Sequence, residues 1–437
     1  MHLRLTSEKR MDNKVVLIGL DGASYNILMP WITGGYLPTL KKLIKDGAYG
    51  VLKSTIPPDT PPAWTSMFTG KNPGKHNVYG FLDVASPHYD ERSKNYVFKV
   101  INSRYRKADA IWNLLSREGK RVIVINAPIT YPPEPVNGIM VSGFLTPSLK
   151  SNFVYPKLLK PILIRKGYRI GVQFGAKGNI GELIKNIEAR VNVARWLMSK
   201  FDWDIFIIVF MEIDQAMHIY GESKILQVYQ EIDKALHTLI KDLPSNTCII
   251  IASDHGFKRF EKIFYLNTFL WKKGFLKLKR KGLITLNIFQ LLSMGKGLPY
   301  ESLFKNIRSL SSNVHAPLNL STSSLIDYAG SLCYSIMSGT NFSCIRFNVN
   351  GREPCGIVSK REYDHLISFL TKELVNVNSV KQVFKRKDIY WGPYIENAPD
   401  VIVRAEEDYV INQIPLIPIL SASQLYSHDL NGIFIIY

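Results

Sequence analysis

The chain has 437 residues, 46% of them hydrophobic, with 29 Gly and 23 Pro. That is enough apolar material for one large or two ordinary domains, and the composition excludes a fibrous or disordered chain. Lys and Arg number 55 against 36 Asp and Glu, a formal charge of +19 that draws anions: phosphorylated substrates, nucleic acid or acidic lipid head groups. The four cysteines, Cys248, Cys333, Cys344 and Cys355, have no C-x-x-C spacing. They are too few to staple a chain this long and read as free thiols in a reducing compartment.

The opening residues MHLRLTSEKRM are polar and basic with no apolar h-region, and Met11 is an alternative start. No uninterrupted apolar run reaches the length of a transmembrane segment. The expectation is a soluble, cytoplasmic protein. Lys14 to Leu20, KVVLIGL, is a continuous apolar run ending at Asp21-Gly22. It reads as a strand buried on both faces, hence central and parallel in an α/β sheet. Pro38 to Asp46 predicts a short helix stopped at Gly47, and Gly50 to Ile56 a second strand.

The stretch STIPPDTPPAWTSMFTGKNPGKHNVYG, Ser54 to Gly80, follows. Thr60 precedes Pro61 and Pro62 and is expected to N-cap a helix ending near Gly70, because Thr caps well and Pro favours the first turn. Its hydroxyl would then lie beside several unpaired backbone N–H groups, a place that attracts phosphate. An ordinary capping threonine is the plain alternative.

Lys107 to Glu118 predicts a helix, Arg121 to Ile125 a strand, Asn126 to Val136 a Pro-rich loop and Ile139 to Ser142 a return to the sheet. Phe153 to Gly181 is poorly patterned, and Ile187 to Phe201 is an amphipathic helix. Trp203 to Phe210, WDIFIIVF, is a further central strand, followed by MEIDQAMHIYG, in which Asp214 and His218 share one face if the turn is helical. Leu226 to Leu243 is a long helix, and Cys248 to Ser253 a buried strand running into Asp254-His255-Gly256. Strands alternating with helices predict an α/β fold.

Lys258 to Ser324 breaks the rhythm and contains KKGFLKLKRKG. It is expected to be a basic inserted cap, with residues 1–257 and 325–437 forming the α/β core. Leu325 to Ile357 reads as β-rich, Tyr363 to Val375 as a helix, and Asp400 to Arg404 and Gly432 to Tyr437 as terminal strands.

Asp21, Asp214 and Asp254 each follow an apolar strand, and His218 and His255 lie close to two of them. A parallel sheet brings such strand ends to one edge, where ligands bind. Mixed Asp and His ligation suits Zn²⁺ or Mn²⁺ better than Ca²⁺ or an iron–sulfur cluster.

The motifs LIGLDGA, the run around Thr60, IDQAMH and SDHGF, with NGREPCGIV, PDVIV and HDLNGIFI further on, resemble the alkaline phosphatase superfamily. Its type I phosphodiesterase and nucleotide pyrophosphatase branch is the most similar. The resemblance runs through most of the chain. It implies a three-layer αβα core with a mostly parallel sheet, and two divalent metal ions, zinc or manganese, sharing one phosphate. Asp21, Thr60, Asp254 and His255 would hold the first. Asp214, His218 and His428 would hold the second, His428 being expected in a loop before the last strand. Thr60 would be the nucleophile, forming a phospho-threonine that water then cleaves. His76 is followed by Asn77 where the family more often has Gly, and reads as structural. The family pattern continues with another strand past the position of Tyr437, so the resemblance implies a shortened C-terminus.

The substrate implied is a small phosphorylated molecule such as a nucleotide. TPPAW carries no Arg to balance a monoester's extra charge, which favours diesters. Alternatives on the same fold are a phosphomonoesterase and a phosphoglycerate-mutase-like enzyme; a sulfatase would need Cys or Ser where Thr60 stands. A basic protein binding nucleic acid or a membrane surface is the alternative of another class. Tyr25, Trp31 and Trp64 are expected to pack in the core rather than stack on a base.

Overall fold

A computed structural model describes residues 14–171, 179–280, 325–336, 339–415 and 420–437. Its centre is an eight-stranded sheet. Strand Lys14–Leu20 runs parallel to Ile205–Phe210 on one side and to Thr247–Ala252 on the other. Val122–Ile125 and Gly138–Val141 extend the parallel array beyond Ile205–Phe210. Asn431–Ile436 enters antiparallel between Thr247–Ala252 and Ala48–Lys53, which forms one edge; Val154–Tyr155 forms the other.

Side-chain alternation along these strands builds three layers. Val16, Ile18, Leu20, Ile123, Ile125, Phe206, Ile208 and Phe210 pack with helices that include Ile180–Lys200 and Ile225–Ile240. Leu17, Val122, Val124, Ile207 and Val209 face the other way, against Trp64, Phe68 and Trp112. A strand buried on both faces reads as a continuous apolar run, which is why these strands are plain in the sequence. The result is a three-layer αβα core with a mostly parallel sheet, as the resemblance implies. Among the described residues no helix is long and apolar enough to cross a membrane.

A second core lies on an antiparallel four-stranded sheet of Cys333–Ser335, Phe342–Phe347, Val401–Ala405 and Val380–Lys385. NGREPCGIV and PDVIV meet here: Arg352 places Nη1 and Nη2 2.7 Å from the two carboxylate oxygens of buried Asp400. From the same region the Tyr390 hydroxyl donates to Ile56 O at 2.7 Å, four positions before Thr60.

A three-stranded sheet places Gly256–Tyr265 between Tyr409–Asn412 and Leu420–Asp429. Of the segment expected to be a basic insertion, residues 258–280 therefore contribute to this sheet, the helix Leu266–Lys272 and the strand Lys277–Leu278. Residues 281–324 lie outside the described residues.

Candidate metal centre

The carboxyl ends of the three central strands place the expected carboxylates together. Leu20 is level with Phe210, and Gly19 with Ala252, so Asp21, Asp214 and Asp254 leave the sheet along one edge. Two clusters form there, Asp21 with Asp254 and His255, and Asp214 with His218 and His428; within each, one ligand-type atom per residue lies within 4.8 Å of the others.

In the first cluster His255 Nε2 is 3.6 Å from Asp21 Oδ1, 3.4 Å from Asp254 Oδ2 and 3.3 Å from Thr60 Oγ1. His255 Nδ1 donates to Gly256 O at 3.1 Å. That bond fixes the tautomer in which Nε2 keeps its lone pair. Asp254 Oδ1 accepts from Gly22 N at 3.2 Å, and Asp21 Oδ2 accepts from Trp64 Nε1 at 2.7 Å.

In the second, the helix Glu212–Tyr220 sets Asp214 and His218 one turn apart, with Asp214 Oδ1 3.3 Å from His218 Nε2 and 3.2 Å from His428 Nε2. His428 Nδ1 donates to Pro58 O at 3.0 Å, so neutral His428 also offers its Nε2 lone pair. The clusters share a wall: the His255 and His428 rings stack with centroids 3.8 Å apart.

Among the described residues, Asp21 Oδ1, Asp214 Oδ1 and Asp254 Oδ2 are buried without a hydrogen-bond partner. Buried polar atoms are normally bonded, and a buried charge needs a counter-charge. Burial raises Asp21 well above the usual carboxylate range, and neighbouring Asp254 adds to it. Burial also raises Asp254, with Asp214 adding further. Burial, with the charge of His428, depresses His255. Burial pushes Asp214 up, but its interactions with the His218 and His428 side chains outweigh it and hold Asp214 down. Crowded carboxylates with unbonded oxygens, facing imidazole lone pairs, are the donor set a pair of divalent cations fits.

Two expectations are corrected. Thr60 is the first residue of the helix Thr60–Thr69, and Asp59 is its N-cap. The free N–H groups expected beside the hydroxyl are mostly missing: Pro61 and Pro62 have none, and Ala63 N donates to Asp59 O at 3.1 Å. The helix dipole remains. His428 is not in a loop but on the strand Leu420–Asp429, directly opposite Phe257.

The sequence reading missed three contributors. Trp64 is fully buried, as expected of a core residue, yet it also orients Asp21. It lies over Gly19, where a Cβ would stand 2.4 Å from the ring. Phe257 has ring centroids 5.0 Å from His218, 5.8 Å from His255 and 5.0 Å from His428. Gly22 admits Phe257: its φ is +71° and a Cβ there would stand 2.7 Å from the ring. Asp59, 7% exposed, is a further carboxyl beside Thr60; burial raises it to about 6 against the opposing charge of His428. The presence of Phe257 and Asp59 within SDHGF and PPDTPP was the only signal for them.

His76 stands apart and is structural. Its Nδ1 accepts from Val78 N at 3.1 Å, so its Nε2–H donates to Ser66 Oγ at 2.9 Å. Tyr25 and Trp31 pack against the large core.

An αβα sheet with two Asp/His clusters at its carboxyl edge and a threonine beside one of them defines an alkaline-phosphatase-like hydrolase. The chain belongs to the type I phosphodiesterase / nucleotide pyrophosphatase family, whose model matches residues 15–418, and so to the phosphoester hydrolases. No curated protein sequence matches it. Among solved structures it resembles phosphonoacetate hydrolase from Sinorhizobium meliloti 1021, at 17% identity and a TM-score of 0.61, covering 97% of this chain and 90% of that one. It also resembles human ectonucleotide pyrophosphatase / phosphodiesterase 5, at 16% identity and a TM-score of 0.54, covering 97% and 87%. The murine form has been solved as an inactive threonine-to-alanine variant in complex with AMP, and matches at 14% identity and a TM-score of 0.53 over the same shares.

Proposed function

We propose that this chain is a metal-dependent phosphodiesterase or pyrophosphatase that works through a phospho-threonine on Thr60. The observation that carries the reading is the position of Thr60 Oγ1, 3.3 Å from His255 Nε2 and beside the Asp21–Asp254–His255 cluster. Asp21, Thr60, Asp254 and His255 would hold one divalent cation, and Asp214, His218 and His428 a second. Two such cations supply the Lewis acidity that lowers a hydroxyl's pKa and neutralises a leaving oxygen. Zn²⁺ or Mn²⁺ suits this mixture of carboxylate and imidazole.

The chain's own groups then have defined tasks. The Thr60 hydroxyl gives its proton to solvent water as its oxygen attacks phosphorus; one P–O bond forms and the bond to the leaving alkoxide or phosphate breaks. Water attacks the phospho-threonine in the second half and restores the hydroxyl. Trp64 holds the Asp21 carboxylate through its Oδ2. Gly256 O and Pro58 O hold the imidazoles of His255 and His428 in the ligating tautomer. The murine relative's inactive threonine-to-alanine form and its AMP complex support a threonine nucleophile and a nucleotide-like substrate. The four free cysteines suit a cytoplasmic location.

Thr60→Ala should lower turnover of bis-p-nitrophenyl phosphate by at least about 10³-fold with the fold retained, as loss of a nucleophile does elsewhere. Thr60→Ser, which keeps a hydroxyl, should retain a measurable rate. Wild-type rates in Thr60→Ala would overturn the covalent reading. Faster turnover of monoesters than of diesters or nucleotides would move the assignment to a phosphomonoesterase.

A further inference from the structure

We propose that the segment Lys157–Lys166, at the Val154–Tyr155 edge of the main sheet, is a docking surface for an anionic lipid bilayer. The turn Lys157–Leu159 leads directly into the short helix Lys160–Arg165. One side of this segment is committed to the core, with Leu159 and Leu163 buried. Leu158, Pro161 and Ile164 recur at every third position, and that spacing keeps them on one face. This second apolar ridge faces solvent: Leu158 is 70% exposed and Ile164 42%.

A single exposed leucine is ordinary, but a ridge of three on an element that already has its core face is not. The strand Val154–Tyr155 is the last of the sheet, so the ridge lies at an outer margin of the fold.

The charge around the ridge names the partner. From Pro135 to Gly181 the chain has no Asp or Glu. Lys150, Lys157, Arg165 and Lys166 are exposed around the ridge. Lys160 Nζ donates to the carbonyl of Lys150 at 2.7 Å and lies over the Phe153 ring. Lys166 sits 4.9 Å over the half-buried Trp196 ring, on the neighbouring helix Ile180–Lys200. The nearby carboxylate of Glu182 is already taken by Arg169. Basic side chains around an apolar ridge, with an indole at the margin, match the acyl boundary and phosphate layer of a negatively charged membrane. A nucleic acid would use the charges and leave Leu158 and Ile164 idle.

The test is co-sedimentation of the full chain with vesicles of phosphatidylcholine alone or with 30% phosphatidylglycerol. Binding is expected to the anionic vesicles only. Leu158→Glu/Ile164→Glu should weaken it at least tenfold, with melting temperature and bis-p-nitrophenyl phosphate turnover unchanged. Lys157→Glu/Arg165→Glu should do the same. Three results overturn the proposal: no binding to anionic vesicles, binding that the Leu158/Ile164 variant leaves intact, or tighter binding to single-stranded or duplex nucleic acid through the same basic residues. Leu158→Ser/Ile164→Ser, a milder change, should reduce binding in the same direction if the glutamate variant does not fold.

Discussion

His218 and His428 bring their Nε2 atoms to within 2.9 Å of each other, and Asp214 Oδ1 lies 3.3 and 3.2 Å from them. His428 gives its Nδ1 proton to Pro58 O, so in the neutral state it presents a lone pair to its neighbours. Two nitrogens and a carboxylate oxygen this close form the donor set that the proposed second cation would take up.

His428→Ala should therefore remove one of two bound metal equivalents and leave the Asp21–Asp254–His255 cluster loaded. Metal content after dialysis, read by elemental analysis, is the measure. Added Zn²⁺ should raise the wild-type melting temperature more than that of the variant, because binding to the folded state alone stabilises it by mass action. Two equivalents retained in His428→Ala would remove this residue from the ligand set.

How much of this was legible in the sequence follows from burial. Strands such as Lys14–Leu20 and Thr247–Ala252 are covered on both faces, so their apolar runs give position and direction together. Their ends carry Asp21 and Asp254, which made half of the site readable. The strand bearing His428 was not. Leu420–Asp429 reads LSASQLYSHD, short of β-branched residues, and takes its conformation from pairing with Gly256–Tyr265. The cap at Asp59 was misplaced by one residue because Thr and Asp both suit that position and both stand before the prolines. Contacts across the fold, such as Trp64 to Asp21, leave no spacing signal at all.

Trp64→Phe isolates that contact. Phenylalanine keeps the aromatic packing on Phe68 but loses the Nε1–H that holds Asp21 Oδ2 at 2.7 Å. Loss of a group that orients a ligand typically costs about 10- to 100-fold in metal affinity. Competition against a chromogenic chelator should show that loss, with a smaller cost in stability measured in the metal-free protein. Unchanged affinity together with a lowered melting temperature would reduce Trp64 to a packing residue.

The last prediction concerns His76 and acid stability. His76 is fully buried, and burial with nearby Arg106 pushes it down to about 3. Free in an unfolded chain it would titrate near 6.5. Between these values the unfolded state binds a proton that the folded state refuses, so His76 stabilises the fold fully above about pH 6.5 and progressively less as pH falls toward 3. The slope for one such proton is at most about 1.4 kcal/mol per pH unit. His76→Gln removes the titration but can still donate to Ser66 Oγ. Unfolding free energies should be measured from pH 7 to 4 with chelator present, which keeps metal release out of the comparison. The wild type should lose stability with falling pH more steeply than His76→Gln, whatever the offset between them at pH 7. Parallel curves would show that His76 accepts its proton in the folded state, and that the Val78 N–H bond to its Nδ1 does not hold it neutral.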